Sequence, residues 1–251
     1  MPATSAPGSE EASSVASAAS GEGKRDYVRQ MFSDIAPRYD LLNHLLSLNI
    51  DRRWRKRALD RIGWKNRPDG CYLDLCAGTL DVGAMLVGQP DFSGRVVGAD
   101  FAVPMLRQGA GKAPRERLAA VGADALQLPF GNQSFDGAIV AFGIRNVADL
   151  DACLREVLRV LKPGARFVIL EFSTPRLAIV RAAYLFYFHR ILPLVGRLVS
   201  GHRSAYTYLP LSVASFPAEK ELAERMRKAG YESVSWERLS FGIAAIHTGS
   251  V

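Results

Sequence analysis

Three shortages narrow what this sequence can be: little cysteine, no long apolar run, and no glycine-rich phosphate turn. Its 251 residues hold three cysteines, Cys71, Cys76 and Cys153, an odd number with no Cys-x-x-Cys pair. That pattern argues against a disulfide framework or a zinc site, so no metal is expected, and it suits a reducing cytoplasm. All three cysteines read as small buried hydrophobes. No apolar run reaches the roughly 18 residues of a membrane-spanning helix. The first residues lack a basic segment followed by an apolar core, so no secretory signal is expected. No internal repeat is visible.

What is present is ordinary for a soluble globular chain: 48% apolar and 23% charged residues. The length fits one α/β domain with additions, enough to bury a core without disulfide staples. The net charge of +7 could meet nucleic acid, anionic lipid or an acidic substrate, and composition does not choose among them.

Residues 1–23 are rich in Ala, Ser, Gly and Glu and read as a disordered tail. Residues 24–70 read as an N-terminal helical cap. Val28, Met31, Phe32 and Ile35 share a helix face ended by Pro37, Leu41–Leu48 is an apolar patch, and Asp51–Ile62 is a strongly basic helix. From 71 to 251 the pattern alternates. Strands are expected at Cys71–Cys76, Arg95–Asp100, Leu118–Gly122, Asp136–Phe142 and Arg166–Phe172. Helices are expected at Asp81–Val87, Pro104–Lys112 and Leu150–Leu161. Lys162-Pro163-Gly164 is a turn. A long apolar segment, Leu177–Ser200, marks a helical insertion at about 177–210, with Pro193 splitting it. Ala218–Ala229 is an amphipathic helix, and Ser233–Leu239 with Gly242–His247 would form a closing antiparallel pair. Strands alternating with helices predict a doubly wound, mostly parallel sheet.

In such a sheet, ligands bind beyond the carboxyl ends of the strands, at the switch point. The first strand ends in Ala77-Gly78-Thr79-Leu80-Asp81, where Gly78 lets the backbone approach a ligand and a helix N-terminus favours an anionic group. Asp100 ends the second strand, 26 positions after Asp74, and can accept both hydroxyls of a ribose. NAD and S-adenosylmethionine both carry a ribose, but NAD needs G-x-G-x-x-G and only Gly78 stands in that window. Asp124-Ala125 follows the third strand, where a carboxylate can take an adenine amine. Blander readings compete. An Asp at a strand end commonly caps a helix, and Asp74 fits a buried structural carboxylate. The order and spacing of the pieces together point to S-adenosylmethionine.

Several stretches then resemble one family, the ubiquinone/menaquinone C-methyltransferases, which methylate the ring of a prenylated quinol. The carrying motifs run from Met31 to Asn43, Asp51 to Arg55, Phe142 to Val147, Arg159 to Gly164, Glu171 to Ser173 and Tyr206 to Leu209, so the resemblance covers about Asp26 to Gly249. It implies a class I S-adenosylmethionine-dependent methyltransferase, with a Rossmann-like sheet of seven strands and an N-terminal helical cap. It implies that Thr79, Asp100, Asp124 and Ala125 bind the cofactor. Two departures stand out. The family's loop reads Gly-Thr-Gly-Asp, whereas Leu80 occupies the second glycine's place, which bears on the turn. The residue before Phe142 is Ala141, where the family often has Ser, so a side-chain hydrogen bond to the cofactor is lost there.

Methyl transfer to a ring carbon needs the carbon aligned with the methyl group, a route for the quinol proton, and positive charge near the phenolate. The resemblance implicates Arg145 in catalysis. Since arginine stays protonated, its expected role is to stabilise the phenolate or orient a water, with Asn146 fixing the ring. The blander reading pairs Arg145 with Asp149 or has it cap the sheet end. Tyr39, Asp40 and Asn43 are expected in the ring pocket, though Tyr39 alone would more often be packing; the isolated His44 and His202 are not assigned. The polyprenyl tail gives Leu177–Ser200 the reading of an interfacial helix in peripheral contact with the inner face of the membrane; a core helix or a homodimer face fits equally. Residues 51–61 would touch anionic headgroups or form a solvated face. A methyltransferase acting on nucleic acid ranks lower, since no RNA-binding module or cysteine nucleophile motif is present. A non-catalytic cofactor-binding partner should have lost Arg145 and Asn146. Between pathways, the Asp-Leu-Cys-Ala-Gly-Thr spelling resembles menaquinone-only members, so demethylmenaquinol is expected ahead of the ubiquinone-pathway benzoquinol.

Overall fold

The computed structural model describes residues 23–36, 49–187, 190 and 203–251. The expected tail, Pro37, the Leu41–Leu48 patch, Pro193 and most of the second half of Leu177–Ser200 lie outside the described residues.

Seven strands form one sheet in the order β3-β2-β1-β4-β5-β7-β6. These are β1 (Cys71–Leu75), β2 (Arg95–Asp100), β3 (Leu118–Gly122), β4 (Phe135–Ala141), β5 (Leu161–Phe172), β6 (Glu232–Leu239) and β7 (Ala244–Ser250). β1 pairs in parallel with β2 and β4, and β5 with β4. Among the described strands only β7 runs antiparallel, to β5 and to β6.

Both faces are covered, and the strands' two-residue period sorts their side chains. Leu73, Leu75, Ala138, Val140, Phe167 and Ile169 face one layer, where they meet Cys153, Leu154 and Val157 of α5 (Leu150–Val160) and Leu222 and Met226 of α8 (Glu219–Ala229). Tyr72, Ile139, Val168 and Leu170 face the other, against Trp54, Ala58 and Leu59 of α2 (Ile50–Arg61) and Leu86 of α3 (Asp81–Val87). In α5, Asp149 accepts the Ala152 N–H at 2.9 Å, a side-chain N-cap that stabilises the first turn by about 1 kcal/mol. The remaining α-helices among the described residues are α1 (Gly23–Ile35), α4 (Val103–Gln108), α6 (Ala178–Phe186) and α7 (Arg203–Ser215).

Several boundaries shift by a residue and β7 runs on to Ser250; three further differences have a local reason. The Lys-Pro-Gly turn lies inside β5: Leu161 already pairs with Phe135, and pairing resumes at Arg166 with Gly137. The turn is therefore a bulge, with Gly164 at φ +78 and Lys162 Nζ held 2.9 Å from Asp136 Oδ2. α4 stops at Gln108, and the chain turns out of the helix at Gly111, whose φ is +89; at Gly109 an added Cβ would stand 2.3 Å from the Thr79 carbonyl oxygen. β7 starts at Ala244, since Ser240, Phe241 and Gly242 all take positive φ and form a turn. Of the cysteines, Cys153 is fully buried, whereas Cys71 and Cys76 are only half-buried.

Candidate active site

β1 and β4 are neighbours, yet the chain continues from them to opposite sides of the sheet. A crevice opens beyond their carboxyl ends. Both strands leave the sheet through residues with positive φ, Cys76 (φ 50) and Phe142 (φ 61). Their loops nearly touch: a Cβ added to Gly143 would meet the Cys76 Cβ at 2.4 Å. The first loop continues through Gly78 (φ 52) and Leu80 (φ 65). The turn is thus left-handed at the position where the family's second glycine was expected, and Leu80 adopts that conformation.

The crevice encloses about 750 Å³, its open mouth included. Gly78, Asp100, Asp124, Ala125 and Asn146 all line it, so these five expected site residues converge. Asp100 is 8% exposed. Its carboxylate accepts the Gly78 N–H on Oδ2 and the Ala102 N–H on Oδ1, each at 2.8 Å. Burial pushes its pKa up despite these bonds. Asp124 accepts the Leu126 N–H at 3.0 Å and pairs with Arg25 at 2.8 Å.

Thr79 is 2% exposed and does not line the crevice. Asp74 is also buried, and its Oδ2 accepts the Gly83 N–H at 2.9 Å, tying β1 to α3. Burial raises its pKa to about 7. Asp81 receives Arg55 of α2 at 2.8 Å and Lys112 at 2.6 Å. Burial pushes Asp81 up, but these two cations outweigh it and hold the carboxyl below its usual value. Arg55 is thus the inward-facing member of the basic helix.

Helix α1 closes one side of the crevice through Arg25 and Phe32. Lys24 Nζ donates to the carbonyls of Arg145 at 3.0 Å and Val147 at 2.9 Å. Burial, then the charge of Arg145, lowers the Lys24 pKa.

Arg145 lies on a 3-10 turn, Ile144–Asn146, directly after β4. Its partner is not Asp149, which caps α5, but Glu171 at the end of β5, at 2.8 Å. The guanidinium also donates to the Phe142 carbonyl and, at 3.3 Å, to Ser212 Oγ, and it stacks 5.6 Å from the Phe172 ring centre. Both side chains of the pair are almost fully buried, at 7% and 3% exposure. Burial raises the Glu171 pKa, opposed by Arg145 and the backbone N–H groups of Phe172 and Arg145. Arg145 itself is not on the crevice wall, but Phe142, Gly143 and Asn146 beside it are. Asn146 Oδ1 accepts the Tyr208 hydroxyl at 3.1 Å.

Tyr39, Asp40, Asn43, His44 and His202 lie outside the described residues. Glu171 had no assigned role in the sequence reading. Its signal was there: a lone carboxylate closing the apolar run Phe167–Leu170, where an unpaired charge would not be tolerated.

The sequence matches the ubiE/COQ5 methyltransferase family over residues 20–251. A demethylmenaquinone methyltransferase from Thermus thermophilus is 49% identical over 221 residues, 87% of this chain and 99% of that protein. A ubiquinone/menaquinone biosynthesis C-methyltransferase UbiE from Geobacter sulfurreducens is 45% identical over 230 residues, 90% of this chain and 89% of the other. Among solved structures, a SAM-dependent methyltransferase from Thermotoga maritima shares the fold with a TM-score of 0.60 at 18% identity, covering 88% of this chain and 98% of its own.

Proposed function

Because this chain belongs to the ubiE/COQ5 methyltransferase family, we propose that it methylates a ring carbon of a prenylated quinol, converting demethylmenaquinol to menaquinol. The carrying observation is its 49% identity to the Thermus thermophilus demethylmenaquinone methyltransferase over almost that protein's full length. The Geobacter sulfurreducens relative's name covers ubiquinone as well, which keeps the benzoquinol of that pathway as the second reading.

The crevice residues fit S-adenosylmethionine as methyl donor. Asp100 accepts backbone N–H groups of Gly78, Ala102 and Phe101, and the roughly four acceptor sites of a carboxylate leave capacity for a ribose hydroxyl. Asp124 faces the same crevice for an adenine amine, and Ala125 and Val147 offer apolar wall. Gly78 allows close approach, and Thr79 supports the loop from behind. When bound, the cofactor supplies an electrophilic methyl group on sulfur.

The chain's own residues do the rest. Arginine does not serve as a base in proteins; from behind the crevice wall, paired with Glu171, Arg145 stabilises the developing phenolate by its charge or orients a water that takes the proton. Glu171 is a positioning residue, holding the guanidinium in a dry site. Asn146 fixes the ring, and the family resemblance gives Tyr39, Asp40 and Asn43 the role of ring contacts. A polyprenyl tail keeps the substrate in a bilayer, so the enzyme works in peripheral contact with a membrane face. No described helix is long and apolar enough to cross one.

The test is methyl transfer from radiolabelled S-adenosylmethionine to reduced demethylmenaquinone by the purified protein. Arg145→Lys should retain cofactor binding and lose about 100-fold or more in kcat. Cofactor binding without transfer to either quinol class would replace this reading with a non-catalytic one.

A further inference from the structure

Helix α6, with sequence Ala-Ile-Val-Arg-Ala-Ala-Tyr-Leu-Phe, buries only Tyr184. Ile179 is 81% exposed and Phe186 60%, with Leu177 just before the helix at 58%. A helix of a globular domain normally hides such residues. Phe241 is 76% exposed, at the tip of the turn formed by Ser240, Phe241 and Gly242.

These apolar points belong to one rim. Trp54 of α2 packs edge-on to Phe172, with ring centres 6.4 Å apart, and its Nε1 donates to Ser240 Oγ at 3.0 Å. Tyr184 of α6 packs in a cluster with Phe172 and Ile243. Gly242 abuts Pro175, where an added Cβ would stand 3.5 Å from the Pro175 Cα. So α2, the 240–242 turn and α6 all gather around Phe172, the ring that also lies under the Arg145 guanidinium.

The rim is cationic as well as apolar. α2 exposes Arg52, Arg53, Lys56, Arg57 and Arg61 against one exposed acid, Asp60. Glu237 is shared by Arg57 and Arg61; among the described residues, Arg52, Arg53 and Lys56 have no acidic partner and face outward. Arg181 is exposed on α6.

We propose that this rim docks on an anionic lipid bilayer, with Phe241, Ile179 and Leu177 entering the headgroup layer and the α2 arginines meeting lipid phosphates. Apolar insertion and cationic attraction together are what reversible membrane binding requires. A protein partner would be matched by a flatter apolar face without the surrounding excess of one charge. The arrangement puts the reaction end of the sheet against the bilayer, where a polyprenyl tail resides. In that purpose the inference rests on the prenylated-quinol reading, but lipid binding is measured without any quinol.

The experiment is co-sedimentation of the full chain with vesicles of phosphatidylcholine alone or mixed with phosphatidylglycerol. Binding is expected only to the mixed vesicles and should weaken as salt rises. Arg52→Glu with Arg53→Glu, and separately Ile179→Ser with Phe241→Ser, should each lower binding about tenfold or more. Neither pair touches the catalytic machinery, so both should retain methyl transfer to a short-chain quinol in solution. Equal binding to neutral vesicles, no binding, or a dimer that the Ile179→Ser, Phe241→Ser variant dissociates would overturn the docking surface. Charge-dependent vesicle binding without methyl transfer would instead overturn the proposed function and leave this surface standing.

Discussion

At the scale of single residues, Leu80 shows how a departure from a family pattern is absorbed. Its φ of +65 is a left-handed conformation that costs a branched L residue about 1–2 kcal/mol. The side chain offsets this by being 3% exposed, a burial that contributes roughly 2–3 kcal/mol. Two glycines make room for it: a Cβ on Gly98 would stand 2.2 Å from Leu80 Cδ2, and one on Gly109 would stand 3.0 Å from its Cγ. Leu80→Gly should therefore relax the backbone but leave a cavity, for a net loss of roughly 1–4 kcal/mol in denaturant unfolding. A variant more stable than its parent would show that backbone strain outweighs the packing. The glycine expectation made the conformation legible in the sequence. The compensation was not legible, because Gly98 and Gly109 reach Leu80 only through tertiary packing. The partner of Arg145 was hidden in the same way: Asp149 is near in sequence, while Glu171 is near only once β4 and β5 pair.

At the scale of elements, α1 acts as a side wall latched at two points of unequal weight. Lys24 makes two charge-assisted bonds to backbone carbonyls from a half-buried position, and such bonds contribute about 1.5–3 kcal/mol each. The Arg25–Asp124 pair has side chains 55% and 25% exposed, so solvent screening reduces it to about 0–1 kcal/mol. Opening α1 would expose the crevice, whereas losing Arg25 alone frees Asp124 for the cofactor. Lys24→Ala should therefore weaken S-adenosylmethionine binding about tenfold by calorimetry, a change of about 1.4 kcal/mol, and Arg25→Ala less than about threefold. The reverse order would mean that the latch is ionic. Helix periodicity placed α1, α3 and α5 within about three residues, since their buried faces are continuous stripes. It overran α4 toward Lys112, because the chain leaves the helix through the positive φ of Gly111 rather than through a loss of apolar pattern. It also missed that β5 begins at Leu161, since a bulge leaves pairing intact on either side of a turn sequence.

At the scale of the whole molecule, the doubly wound sheet was legible as alternation, but the insertion of β7 between β5 and β6 was not. That depends on pairings such as Ile169 with His247, which no local pattern encodes. The same architecture gathers buried carboxylates at one end of the sheet. Asp74, Asp100 and Glu171 all have pKa values raised by burial, Asp74 to about 7. Asp136, Glu156 and Glu237, each paired with cations, are held below their usual values. The two groups act oppositely on stability. The lowered carboxylates stabilise the fold above their unfolded values and lose that contribution as pH falls. Asp74 favours the folded state fully below its unfolded value of about 3.8, and that advantage is lost as pH rises through about 7. His247, whose pKa burial lowers, works against it, removing stability as pH falls below about 6.5. The Asp74 component can be isolated with Asp74→Asn, whose amide carbonyl still accepts the Gly83 N–H but carries no charge. In thermal unfolding the variant should exceed its parent at about pH 8, with the gap shrinking steadily toward pH 4 as the parent's carboxyl takes up its proton. Every other titrating group is common to both proteins and drops out of the difference. A gap independent of pH would mean that Asp74 stays ionised throughout, held so by Arg55 and the Gly83 N–H.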